Sequence, residues 1–459
     1  MEKLLNEILK EYNIEKNKLV DLTILRLMHN AKMNELSQSI TDLKSQILQI
    51  FNMNKDKEEF KEAQISIPNA NVKKEYQFCF DSSLFPKIQI SDIKNLDLVG
   101  LQFDVEKSCI SGIPTNANQI DIEIEFFSKE DNNFEMDIKK IPFIVNADPK
   151  DLWQNKPSPA DSRFPKEENV TFSSSFIDKK IVVVSKRGRS HAHEGTFRDD
   201  DFRVKPLPDD WNVVAVADGA GSAKFARAGS KFVTENIVES FSNETFLQSL
   251  SLELISYFDA NNSDEEKIKN KAFVINSLYK NVKQLNEALN QFAVSEEINI
   301  KDLHTTLIFV LVKKFDFGYV VLSFGVGDCP INIIDENEET VMLLNFLDVG
   351  EFSGGTRFIT MSEIFSRPDM ADRFGINCFK DFSKLILMTD GIYDPKFVVE
   401  SKLENLESWK NFLRDLDGEN EDQIKVDFAE DQNIENQLSD WMDFWSKGNH
   451  DDRTLAIIY

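Results

Sequence analysis

Two stretches, Val213-Val-Ala-Val-Ala-Asp218-Gly219 and Leu385-Ile-Leu-Met-Thr-Asp390-Gly391, decide how the second half of this chain is read. Each is a short run with apolar side chains on both faces, the pattern of a strand buried inside a protein, and each stops in an Asp-Gly pair. Asp-Gly is among the commonest turn dipeptides. A third pair, Asp417-Gly418, follows a helical pattern and polar residues and reads as a plain turn.

Further apolar runs of the same kind follow the pattern outward: Ile181-Val-Val-Val184, Leu307-Ile-Phe-Val-Leu-Val312, Val320-Val-Leu-Ser-Phe324 and Leu455-Ala-Ile-Ile-Tyr459, with amphipathic helical patterns between them. Other acidic groups flank these strands: Arg198-Asp-Asp-Asp-Phe202, His450-Asp-Asp-Arg-Thr454, and Asp328 in Phe324-Gly-Val-Gly-Asp-Cys329. An aspartate at the end of a buried strand loses hydration unless something positive meets it. A hard divalent cation does so, and ligation by oxygen alone selects Mg²⁺ or Mn²⁺ over zinc.

In this order the motifs resemble the type 2C metal-dependent protein phosphatases. The matching elements are the acidic pair Asp199-Asp200, Val216-Ala-Asp-Gly-Ala-Gly221, the threonine-led Thr305-Thr-Leu, Gly327-Asp328, Thr389-Asp-Gly391 and Asp451-Asp-Arg-Thr454. The resemblance covers residues 180–459 and includes Asp348-Val-Gly-Glu-Phe-Ser-Gly-Gly-Thr-Arg357, which looks like a bacterial branch of the family. It implies an α+β domain of two packed antiparallel sheets flanked by helices. It also implies two metal ions held by Asp200, Asp218, the Gly219 carbonyl, Asp390 and Asp451, with Asp328 near a third. The implied activity is hydrolysis of phosphoserine and phosphothreonine in proteins by a metal-bridged water, which needs no nucleophilic side chain.

Two departures stand out. The family often carries a histidine after the first Asp-Gly, where this chain has Ala220, and its phosphate-binding arginine aligns loosely. Arg198 is the first choice for that arginine, since residues i and i+2 of a strand face the same way and would set it beside Asp200. Arg187, Arg189 and His191 are the alternatives. Two readings compete with the protein phosphatase: a small-molecule metallophosphohydrolase, and a non-catalytic binding protein on a degenerate phosphatase fold.

The front half has a different texture. Residues 1–62 lack proline and glycine and carry apolar residues at helical spacing; Met33, Leu36, Ile40, Leu43, Ile47 and Ile50 alternate steps of three and four. That seam suits either a hairpin packed within the chain or self-association. Residues 65–147 show short alternating strands, the pattern of a small β-sandwich. Leu98-Val-Gly-Leu-Gln-Phe-Asp and Ile110-Ser-Gly-Ile-Pro-Thr there resemble bacterial immunoglobulin-like domains. Residues 148–179, with four prolines among polar side chains, read as a linker.

The net charge of −26 argues against nucleic acid and anionic lipid as partners. No apolar run approaches a membrane span, and four scattered cysteines read as free thiols in a reducing compartment, so a cytoplasmic protein is expected. The expected partners are a phosphoprotein substrate and a kinase that opposes the phosphatase. Asp316-Phe-Gly318 spells a kinase motif but lies between two strands and reads as a hairpin turn. The tryptophans and leucines of 403–445 recur at helical spacing and read as core.

Overall fold

Along the strand Asn212–Ala217, alternate residues serve different cores. Val213, Ala215 and Ala217 join one apolar cluster and Val214 and Val216 another, as the two-residue period of a strand requires. This strand is therefore covered on both faces, which is why its sequence is apolar throughout. The computed structural model describes residues 2–348 and 356–459. The described chain divides into two compact units, Met1–Leu152 and Trp153–Tyr459. The stretch 349–355, inside the motif that runs from Asp348 to Arg357, lies outside the described residues.

The second unit contains a five-stranded and a six-stranded sheet. In the first, the order is Asp201–Pro206, Asn212–Ala217, Leu307–Phe315, Gly318–Val326 and Phe374–Phe379, all antiparallel. In the second it is Val341–Leu343, Ile331–Asp335, Phe382–Met388, Arg453–Ile458, Lys179–Lys186 and Asn169–Phe176, again antiparallel. Val214, Val216, Ile308 and Val310 of one sheet pack on Ile181, Val183, Leu385 and Leu387 of the other. Helices Ala226–Ser240, Glu244–Phe258 and Asp264–Ser295 cover the outer face of the first sheet. The longest starts at a capping box between Ser263 and Glu266 and buries Val274, Leu278, Val282, Leu285 and Leu289 along one stripe. Helices Asp390–Phe397, Leu406–Leu416 and Ile434–Trp441 cover the second sheet, with Trp409 and Trp441 in that core. Phe315 pairs with Gly318, so Asp316 and Phe317 form a hairpin turn.

The first unit starts with helices Glu2–Glu11, Lys18–Met28 and Ala31–Glu62. The last ends on two small sheets that share one core. Ile120, Ile122, Ile124 and Phe126 point inward from Asn118–Ser128, while Asp121, Glu123 and Glu125 alternate with them. Phe60, at the end of the long helix, sits in this core with its ring 4.5 Å from that of Phe126 and 5.1 Å from that of Phe85.

Three expectations need correction. Residues 148–179 are not linker throughout, because Asn169–Phe176 pairs along its length with Lys179–Lys186. It is an edge strand whose serines point outward, and that polar face made it read as a loop. Cys79 and Cys109 are not free thiols: they stand opposite each other in an antiparallel ladder and form a disulfide. The free-thiol argument for a cytoplasmic location goes with them. The helical seam does not close as a hairpin over its second half, since Leu36, Leu43, Ile47 and Ile50 are exposed and only Met33 and Ile40 are partly covered. Among the described residues, no helix is long and apolar enough to cross a membrane.

The two units hold separate cores, so losing one should leave the other folded. Replacing Phe60 by alanine should remove about 3–5 kcal/mol from the first unit. In chemical denaturation of the full chain, the transition of the first unit should move to lower denaturant and that of the second should stay in place.

Candidate metal centre

Asp218 follows directly on the strand Asn212–Ala217, and its backbone is fixed by the segment that leads into the neighbouring strand Leu307–Phe315. Its amide donates to Thr306 Oγ1 (2.8 Å), while its carbonyl accepts from the Thr306 amide (2.8 Å) and Thr305 Oγ1 (2.7 Å). This is the role of the threonine pair that precedes Leu307. Gly219 bridges to Thr305, and a Cβ there would lie 2.7 Å from the Asp199 carbonyl, so only glycine lets the two acidic segments meet. The Ala220 amide donates to the His304 carbonyl (2.9 Å), and the His304 ring is engaged by Thr360 and stacked on Phe358.

Asp200 is buried, and Oδ2 accepts from Thr389 Oγ1 (2.8 Å) and Thr454 Oγ1 (2.7 Å). One carboxylate oxygen thus ties together the segments of three separate motifs. Asp390 opens the helix Asp390–Phe397, and its Oδ1 is buried without a hydrogen-bond partner. A Cβ on Gly391 would lie 1.9 Å from the Asp452 carbonyl, and one on Gly188 would lie 2.4 Å from that of Asp451. These contacts leave no room for side chains where the backbones of the acidic segments cross. Asp451 is exposed, and Asp328 accepts from Thr356 Oγ1 (2.8 Å).

The electrostatics follow from this crowding. Burial, reinforced by neighbouring carboxylates, pushes Asp200 and Asp218 well above the usual carboxylate range. The same two causes raise Asp390 to about 8 and Asp199 to about 7. Asp328 rises through burial first and then Asp394 and Asp348; Asp451, although part of its side chain reaches solvent, rises through the protein packed around its carboxyl and the adjacent Asp452. Asp452 goes the other way. Burial opposes its charge, but His191 and the amides of Gly188 and Asp199 bond it and hold it ionised. Burial likewise opposes the His191 imidazolium, yet Asp452, with Nδ1 to Oδ2 at 3.0 Å, lifts that group to about 9.

His191, Asp451 and Asp452 offer ligand atoms within 4.8 Å of one another. Asp452 is already bonded by His191 and two amides, and Asp199, Asp200, Asp218, Asp328, Asp390 and Asp451 are the further carboxylates of this region that could hold a cation. The donor set is all carboxylate and carbonyl oxygen, its members raise one another's pKa, and one buried oxygen has no partner. Those features fit hard divalent ions.

Arg198, the first choice for the phosphate-binding arginine, is occupied within the fold. It is buried, and its guanidinium donates to the Glu167 carbonyl (3.2 Å), the Asp200 carbonyl (2.5 Å) and the Ser185 hydroxyl. Arg198 and Asp200 precede the strand Asp201–Pro206, and the Arg198 guanidinium is taken up by neutral acceptors. Arg187 is enclosed by Ser158, Asn155 and the carbonyls of Lys156 and Thr196, and Arg189 donates to the Asp443 carbonyl. Of the four candidates His191 alone contacts the acidic side chains, with Nε2 3.8 Å from Asp199 Oδ2. Residue order did not point to Lys166, whose ammonium bonds the Asp200 carbonyl (2.6 Å) and Asp201 Oδ2 (3.0 Å) from within the supposed linker. Cys329 beside Asp328 is buried, and burial together with Asp218 and Asp328 pushes its thiol well above the usual range, the opposite of an activated thiolate.

Residues 187–443, over half of the chain, match the family model of protein phosphatase 2C. No curated protein sequence matches the chain significantly. Among solved structures it is similar to a bacterial serine phosphatase, at 16% identity over 61% of this chain and 97% of that one, with a TM-score of 0.34. It is also similar to the serine/threonine phosphatase Stp1 of Staphylococcus aureus, at 15% identity over 65% of this chain and 98% of that one, TM-score 0.35. For the serine/threonine phosphatase of S. agalactiae the values are 13%, 63%, 99% and 0.36.

The acid cluster sets a direction for stability against pH. Asp390, at about 8, and Asp199, at about 7, bind protons in the folded chain that the unfolded chain has already released, and His191, at about 9, does the same at higher pH. The folded state therefore holds more protons between about pH 4 and 9, and stability must fall as pH rises through that window. Thermal melts with chelator should drop steadily from pH 5.5 to 8.5, and excess Mn²⁺ should flatten or reverse the slope.

Proposed function

This chain belongs to the protein phosphatase 2C family and is a protein serine/threonine phosphatase, and we propose that Asp200, Asp218, the Gly219 carbonyl, Asp390 and Asp451 hold two Mn²⁺ or Mg²⁺ ions, with Asp328 beside a third. The observation that carries this reading is the unpartnered, buried Oδ1 of Asp390 among carboxylates that raise one another's pKa. Bound there, such ions supply a water of lowered pKa for in-line attack on phosphorus and neutralise charge on the transition state.

The chain's own residues orient and enclose. Thr389 and Thr454 clamp Asp200 through one oxygen, which fixes the angle of the other. Gly188, Gly219 and Gly391 let the acidic segments approach at backbone distance. His191, held cationic by Asp452, takes the phosphate-binding role, while Arg198 is engaged by the Asp200 carbonyl. The substrate is a phosphoprotein, and a kinase acting on the same protein is the partner that this chemistry opposes. The two-sheet module of the first unit is immunoglobulin-like and docks the phosphatase to its substrate or partner.

The front helices serve self-association with a second copy of the chain. Leu36, Leu43, Ile47, Leu48, Ile50 and Phe51 of the long helix, with Leu19, Leu22 and Leu25 of the preceding one, are 49% to 77% exposed. They carry on the order of 1,000 Å² of surface, above the roughly 300–600 Å² of the largest patch on a typical monomer and close to one partner's share of a stable interface. Residues 31–54 contain two bases, Lys32 and Lys44, and two acids, Glu35 and Asp42, so this segment is neutral in a chain of net −26. Two copies can meet there without the repulsion felt elsewhere.

Replacing Asp390 by asparagine should cut phosphopeptide turnover by about 100-fold or more. It should leave the chelated protein equally or more stable and shrink the melting-temperature gain from Mn²⁺. An unchanged Mn²⁺ response would remove Asp390 from the centre. The doubly substituted Leu43→Glu, Ile47→Glu chain should sediment as a monomer where the wild type is a dimer, with turnover intact; a monomeric wild type at 100 µM, a concentration of about 10⁻⁴ M, would refute the association.

A further inference from the structure

Beside the metal centre, within the second unit, lies a cavity of about 140 Å³ whose lining includes Lys186, Arg187, Arg189 and Arg453 against two acids, Glu168 and Asp443. In a chain of net charge −26, this is a local excess of positive charge. The two acids are already engaged, Glu168 with Arg187 (3.0 Å) and Asp443 with Lys186 (2.6 Å). Arg189 and Arg453 have no carboxylate within ion-pair distance among the described residues. Arg453 is 5% exposed. Its terminal nitrogens bond the Met442 and Phe444 carbonyls and Ser446 Oγ, and its Nε has no partner. Arg189 donates through one terminal nitrogen to the Asp443 carbonyl (2.6 Å), and its buried Nε is also without a partner.

Burying a guanidinium without a counter-charge is costly, and a guanidinium N–H pairs best with a carboxylate or phosphate oxygen. The cavity is smaller than the roughly 300 Å³ at which organic-ligand pockets begin, yet it has room for one tetrahedral ion. We propose that this cavity is a binding site for a free inorganic oxyanion, in particular phosphate, held by Arg189 and Arg453. The choice of phosphate rests on the phosphatase reading, since phosphate is the product of that reaction; the oxyanion class rests on the cavity alone. Gly188 lines the cavity and donates its amide to Asp452 Oδ1 (2.6 Å), and Arg453 follows Asp452 in sequence, so the site adjoins the backbone that carries the acid cluster.

The experiment uses the full chain in chelator, where the uncompensated carboxylates of the metal centre repel anions, and reads melting temperature rather than turnover. Sodium phosphate and sodium sulfate should each raise it saturably by several degrees, and sodium chloride at matched ionic strength should not. Arg189→Gln should raise the half-saturating phosphate concentration at least tenfold, and Arg453→Lys, which keeps the charge but loses the fork, should do likewise if it folds. A rise with phosphate but none with O-phosphoserine assigns the free ion, and a rise with both extends the site to a phosphoryl group on a substrate. A rise shared with chloride, an effect unchanged by Arg189→Gln, or no rise at all overturns the proposal. Failure here would leave the metal centre untouched, because neither metal nor turnover enters the measurement.

Discussion

Carboxylates brought together at the ends of buried strands repel one another, each close pair by roughly 1–4 kcal/mol according to how much water screens it. Holding them against that repulsion is the constraint around which the second unit is arranged. The two sheets supply the force, since their packed faces leave Asp218 nowhere else to go. Thr305 and Thr306 fix the Asp218 backbone, Thr389 and Thr454 fix the Asp200 side chain, and three glycines permit the crossings of chain that bring the acids within reach. The same preorganisation that costs stability without a cation creates affinity for one.

Positive charge in this unit is used sparingly. Arg198 and Lys166, the nearest long cations to Asp200, donate to its carbonyl and so brace the backbone without neutralising the carboxylate. Asp452 and His191 form a compensated pair inside the cluster, which keeps one acid ionised and takes it out of competition for a metal. Asp452 is thus tied into the fold, while its immediate neighbour Asp451 has an exposed side chain, as the proposed ligand role requires. The guanidinium groups of Arg189 and Arg453 line a neighbouring cavity, and among the described residues neither has a carboxylate within ion-pair distance.

Much of the fold could be read from residue order. The apolar runs at 181–184, 213–217, 307–312, 320–324, 384–388 and 455–459 all lie within strands or reach their ends, because a strand covered on both faces leaves an unbroken apolar signature. The edge strand Asn169–Phe176 was missed because Ser173, Ser174 and Ser175 are exposed on both faces near its end, and such a run looks the same in a loop. The Cys79–Cys109 pairing was missed because spacing along the chain does not reveal which strands are neighbours. Of the proposed centre, the aspartates were legible, since an acid at the end of a buried strand is anomalous wherever it occurs. For Arg198 the strand argument did not apply, because the strand starts only at Asp201, and position along the chain says nothing about which groups the side chain will meet.

Sequence alone determined which aspartates are set at strand ends and which runs of side chains must be buried, because hydration cost and residue period are local properties. Tertiary structure alone decided which cation joins them. His191 reaches Asp452 across 261 positions and Thr454 reaches Asp200 across 254. Partnerships at that separation are set by how two sheets stack, and the order of residues along one strand does not encode the distance to another.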